Sequence, residues 1–68
     1  MSKRMFVEGE FAEPESERMA AQRMMKVLDE AAAGHGMKVN GDVEIATSKP
    51  SLFAVPRKMR LEADVVTR

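Results

Sequence analysis

Between Pro14 and Ala33 apolar residues recur with the period of an α-helix. At about 100° per residue, Ala20, Ala21, Met24, Met25, Val27, Leu28, Ala31 and Ala32 fall on one continuous arc. Gln22, Arg23, Lys26, Asp29 and Glu30 fall on the opposite arc. A stretch of this kind must lay its apolar side on something. In a chain of 68 residues the only candidates are the segments before and after it. Met24, Met25 and Leu28 are expected at the centre of the contact, and Met19 stands on the polar arc.

The flanking segments alternate with period two, as half-buried strands do. Over residues 3–12, Met5, Val7, Gly9 and Phe11 point one way and Arg4, Phe6, Glu8, Glu10 and Ala12 the other. Phe6 is the departure, an aromatic among charges. It reads either as a stray exposed residue or as a contact with another subunit. Over residues 37–46, Met37, Val39, Gly41, Val43 and Ile45 share one face. Asn40-Gly41 resembles a hairpin turn. Such a turn would pair Val39 with Asp42, Lys38 with Val43 and Met37 with Glu44, each an apolar residue beside a charged one. One unbroken strand with a bulge at Asn40-Gly41 fits better. Over residues 57–68, Met59, Leu61, Ala63, Val65 and Thr67 alternate with Lys58, Arg60, Glu62, Asp64, Val66 and Arg68.

The connections carry their own signals. Pro14 suits a first helical turn, and Glu13, Glu15 and Glu17 complement the positive end of the helix dipole, which explains them without a metal or acid–base site. Gly34 is the expected left-handed residue after the helix. His35 then lies at the dipole's negative end as a capping residue. From Thr47 to Pro56 the chain reads as a loop, yet Leu52, Phe53, Ala54 and Val55 are consecutive apolar residues. They either fold back over the core's open edge or dock into a partner chain.

The expected fold is α+β, a single domain over residues 1–68 with order β-α-β-β. One amphipathic helix packs on a three-stranded sheet of order 1-3-2. A right-handed crossover makes the first two strands parallel, and the third lies antiparallel between them. The expected core is Met5, Val7, Phe11, Met24, Leu28, Val39, Val43, Ile45, Leu61, Ala63 and Val65. Glu8, Glu10, Lys38, Asp42, Glu44, Lys58, Arg60, Glu62 and Asp64 share the other face, where opposite charges can pair across strands.

A chain this short buries only about 60% of the surface that it exposes when unfolded. Disulfides, a metal or oligomerisation usually supply the difference. With no Cys there are no disulfides or common structural zinc sites, and a single His allows no two-His metal site within one chain, which leaves self-association unless the small core packs unusually well. Open sheet edges provide the means. Phe6, Leu52, Phe53 and Val55 are the expected partner-binding residues.

Composition restricts the chemistry. Eleven basic and eleven acidic residues cancel, so net charge supplies no attraction to nucleic acid or to an anionic membrane. Lys3-Arg4 and Arg57-Lys58-Arg60 are basic clusters, but Glu8, Glu10, Glu44, Glu62 and Asp64 share their face. Reading single strands takes exposed aromatics on adjacent strands, and only Phe6 qualifies. No apolar run approaches the length of a membrane span. A basic start that soon meets Glu8 and Glu10 is unlike a signal peptide, and a cytoplasmic location is expected. No nucleophile–base pair, phosphate-binding glycine loop or metal signature is present. The expectation is a non-catalytic protein with no cofactor, whose partners are copies of itself and another protein.

Met5–Phe11, Pro14–Ala33, Met37–Ala46 and Lys58–Thr67 follow one another as elements in an order similar to that of dodecins. These are small β-α-β-β proteins that assemble into hollow spheres and bind flavins. The resemblance implies a homo-oligomer and a small-ligand site of the flavin type at a subunit interface. Flavin-binding dodecins stack the ring on a Trp near the start of the second strand, where this chain has Met37-Lys38-Val39, so no site residue carries over. The Met- and Ala-rich composition also resembles that of small bacteriophage accessory proteins, which implies binding to a host regulator or to a component of a larger assembly.

Overall fold

The computed structural model describes residues 3–49 and 56–68. Its elements are β1 (Lys3–Phe11), α1 (Glu17–Gly34), β2 (Met37–Thr47) and β3 (Arg57–Thr67). The sheet has the order β1-β3-β2, with β3 antiparallel to both neighbours. This is the expected α+β arrangement of one helix on a three-stranded sheet.

Helix α1 begins three residues later than the apolar period suggested. Ser16 is the N-cap, its hydroxyl accepting from the Met19 backbone N–H at 3.2 Å. Pro14 lies in the preceding turn, where the Glu15 N–H donates to the Ala12 carbonyl at 3.0 Å. A side-chain acceptor that satisfies an orphan N–H outweighs a proline's suitability for a first turn. The other end also shifts. The helix runs through Gly34, and His35 is the C-cap, its N–H donating to the Ala32 carbonyl at 3.0 Å. Gly36, not Gly34, takes the left-handed conformation (φ 69°) that turns the chain into β2.

The buried stripe of α1 is Ala20, Met24, Leu28 and Ala32, a strict i, i+4 row. It lies over the alternate residues Met59, Leu61, Ala63 and Val65 of the central strand, all of them buried. Phe11 closes the core at the end of β1. Met5, Val7, Val39 and Val43, on the outer strands, are half-buried against this centre. One helix is narrower than three strands, so apart from Phe11 the buried residues of the sheet all lie on β3.

Two expectations about burial are corrected. Ile45 pairs with buried Leu61 and shares its face, yet remains 52% exposed. Val27, on the margin of the apolar arc, is 44% exposed. Both lie where the helix stops covering the sheet. Met19, on the polar arc, is exposed as well. Met59 joins the core although it was not among the residues named for it, because the helix-facing side of β3 is buried from Met59 to Val65.

Asn40-Gly41 does not reverse the chain. β2 continues through it, with a bulge between Asn40, opposite Asp64, and Val43, opposite Ala63. Gly41 supplies the positive φ (85°) that such an irregularity needs. Two extra residues, Gly41 and Asp42, are accommodated. An even number leaves Val39 and Val43 on the same face, which is why the alternation survives.

Candidate functional site

The helix-free face of the sheet carries most of the organised polar chemistry. Glu44 on β2 stands directly opposite Glu62 on β3, a like-charge pair that would by itself be unfavourable. Arg4 on β1 resolves it. Its guanidinium reaches Glu62 at 2.7 Å, Asp64 at 3.0 Å and Glu44 at 3.2 Å. Arg60 extends the network to Glu62 at 3.0 Å and to Glu8 at 3.7 Å. The expected cross-strand pairing of opposite charges is thus present, centred on Arg4.

These groups are solvated, and exposed pairs contribute little individually. Their protonation is nonetheless biased. The hydrogen bond from Arg4 holds the Glu62 carboxyl below the usual glutamate range, with the charges of Arg4 and Arg60 acting in the same sense against partial desolvation. On the helix side, the hydrogen bond from Arg23 does the same for Glu15, gripped at 2.9 and 3.0 Å. A native pKa below the unfolded one contributes stability that is complete above the ordinary glutamate value. That stability is lost as pH falls through the depressed native value. Urea midpoints measured through a pH series should therefore fall below about pH 4.3. The decline should be shallower in an Arg4→Ala, Arg23→Ala double variant, and an unchanged slope would show that neither arginine is coupled to folding.

The acidic run before the helix divides by partner. Glu17 stands in the first turn of α1, as the dipole reading expects, and accepts from the Thr47 hydroxyl at 3.0 Å. Glu15 is the carboxylate that Arg23 clasps. Among the described residues no group of three or more His, Cys, Asp or Glu is placed to hold a metal ion. His35 lies exposed at the far end of the helix, away from these charges.

Of the four expected partner-binding residues, Leu52, Phe53 and Val55 lie outside the described residues. Phe6 is on the helix-free face, opposite Glu62, with the Arg60 guanidinium 4.2 Å from its ring centroid. This cation–π contact gives the aromatic an internal partner that the linear pattern did not suggest. The ring is still 54% exposed.

A groove of about 470 Å³ runs over one end of the sheet. Glu8 and Glu10 from β1, Lys58 and Arg60 from β3, and Ala46 and Ser48 near the end of β2 contribute to its lining. Sequence reasoning placed most of these residues on one face but missed the groove, which depends on strand register. The signal within reach was the alignment of Glu8 and Glu10 with Arg60 and Lys58 once β1 is set antiparallel to β3. Among the described residues no helix is long and apolar enough to cross a membrane. No protein-family model, curated protein or solved structure matches the chain.

Proposed function

We propose that the protein is a non-catalytic, self-associating interaction module that works in the cytoplasm, in the manner of a bacteriophage accessory or assembly protein that engages a host or structural protein. The observation that carries the engagement of another protein is Ile45. It is in register with buried Leu61 and on the same face, yet half open to solvent. A helix too narrow for its sheet leaves apolar surface that a second chain can cover, and a domain this small gains most from such cover. Phe6 supplies an exposed aromatic on the opposite face, the residue type enriched where proteins meet.

Light scattering coupled to size-exclusion chromatography tests the reading. At micromolar concentration the native protein should elute as an oligomer. Phe6→Ser should shift it toward the monomer with its circular dichroism intact. A Leu52→Ser, Phe53→Ser variant measures what the loop adds. A native protein that is monomeric throughout removes the reading.

The groove favours a second reading, a dodecin-like small-ligand binder. Its volume falls within the usual range for small-molecule sites. Against it, Glu8, Glu10, Lys58 and Arg60 bring charges of both signs to the lining, and no Trp or Tyr exists to stack a ring. A thermal shift on adding a flavin would favour this alternative; its absence leaves the interaction module.

A further inference from the structure

We infer that β1 is the self-association edge and that it pairs antiparallel with β1 of a second copy about a twofold axis at Phe6. The inference deepens the self-association reading and rests on it.

The backbone of β1 decides which groups are free. The N–H of Lys58 donates to the Ser48 hydroxyl at 2.8 Å, and its carbonyl accepts from the Ser48 N–H at 2.9 Å. Lys58 therefore turns its backbone groups toward β2. Hydrogen-bonding direction alternates along a strand, so Arg60, Glu62 and Asp64 do the same, while Met59, Leu61 and Ala63 turn theirs toward β1. Their partners on β1 are Gly9, Val7 and Met5. Arg4, Phe6, Glu8 and Glu10 consequently direct their N–H and C=O groups to the outer edge. A direct contact agrees: the Glu10 carbonyl accepts from Arg23 of the helix at 3.0 Å instead of from β3.

The other outer strand is a poorer template. β2 is interrupted by its bulge at Gly41-Asp42, a device that turns an edge away from pairing. β1 has no such break.

The side chains of β1 are self-complementary. Basic residues, Lys3 and Arg4, stand at one end, and acidic residues, Glu8 and Glu10, at the other. An antiparallel copy brings opposite ends together. A twofold axis perpendicular to the sheet pairs like faces and keeps both helices on one side. Centred on Phe6, it sets the ring against the partner's Phe6, Arg4 against the partner's Glu8, and Met5 against the partner's Val7. Centring on Val7 would instead recruit Glu10, whose carbonyl Arg23 already occupies. Centring on Arg4 or on Glu8 would set like charges face to face. Arg4 already meets three carboxylates, so the partner's Glu8 adds little. The backbone ladder and the ring pair hold the dimer. The product is one continuous six-stranded sheet, three strands from each copy.

The chain has no cysteine, so Phe6→Cys gives a clean cross-linking probe. Residues opposite one another in a hydrogen-bonded pair are about 5.5 Å apart at Cα, within disulfide reach. Under mild oxidation Phe6→Cys should form a covalent dimer and Lys38→Cys, on the β2 edge, should not. Phe6→Lys should weaken association by about tenfold or more. In the unmodified protein, amide exchange at Arg4, Phe6 and Glu8 should slow as concentration rises, a readout that requires no variant to fold. An oligomer in which those amides remain unprotected and Phe6→Cys fails to cross-link overturns this edge while leaving self-association standing. A monomer at every concentration overturns both.

Discussion

Replacing Leu28 with alanine should remove half or more of the domain's stability. Leu28 is fully buried in the middle of the α1 stripe, between Met24 and Ala32 and over β3. A buried Leu→Ala change costs about 2–5 kcal/mol through lost transfer energy and the cavity left behind. A chain of 68 residues has a total of roughly 3–10 kcal/mol to lose. In a domain of this size each kcal/mol moves the melting temperature by about 4–8 °C. The expected result is a transition lowered by roughly 10 °C or more, or none at all. Val27→Ala, one residue away but 44% exposed, should change stability by about 0.5 kcal/mol or less. Thermal melts followed by circular dichroism at one matched protein concentration measure both, since association also contributes to apparent stability. Equal losses from the two variants would mean that α1 does not face the sheet with this side.

The second large effect concerns the closest approach of helix and sheet. Gly9 lies on the helix-facing side of β1, and Met24 fills the space that a side chain there would need. A Cβ on Gly9 would come 2.7 Å from Met24 Sδ and 3.1 Å from Cε. The end of a methionine is adaptable, so Gly9→Ala can be absorbed by a small rotation. Gly9→Val adds more volume beside a buried side chain with little room to retreat. Overpacking of this kind costs about 1–3 kcal/mol. Met24→Ala alone, leaving a void, should cost about 2–5 kcal/mol. The two together should cost less than their sum, because valine occupies part of the space that methionine vacates. The expected coupling is about 0.5–3 kcal/mol, read from the urea midpoints of a double-mutant cycle. Additive losses would show that Gly9 is not needed to admit Met24.

Much of this arrangement was legible in the residues. Ala20, Met24, Leu28 and Ala32 recur at the helical spacing. Met59, Leu61, Ala63 and Val65 alternate. Those two patterns demand a helix on a sheet whose best-covered strand is β3. The continuity of β2 through Asn40-Gly41 was legible for a related reason. A turn there would have placed apolar and charged residues on one face, whereas a bulge of two residues preserves the alternation. The helix ends were less legible. Ser16 and Pro14 both suit a helix start, as Gly34 and Gly36 both suit its end, and local preference does not rank them. The choice followed from which residue's hydroxyl met the Met19 N–H and from where the chain had to turn to enter β2.

The candidate site was legible only by face. Glu8, Glu44, Glu62, Asp64 and Arg60 were assigned correctly to one side of the sheet. That Arg4 would bridge three of those carboxylates depends on register, because a side chain sees its cross-strand neighbours and not its neighbours in the chain. The cation over Phe6 follows from the same cause.

By itself the sequence determined the elements, their order and the side each would bury, since periodicity is a property of consecutive residues. Only the tertiary structure decided how far the cover extends. One helix spans the central strand and stops short of Ile45, and the lateral reach of a packed helix depends on its position over the sheet. It also decided which backbone groups of β1 face outward, because strand pairing sets that direction and no side-chain pattern encodes it.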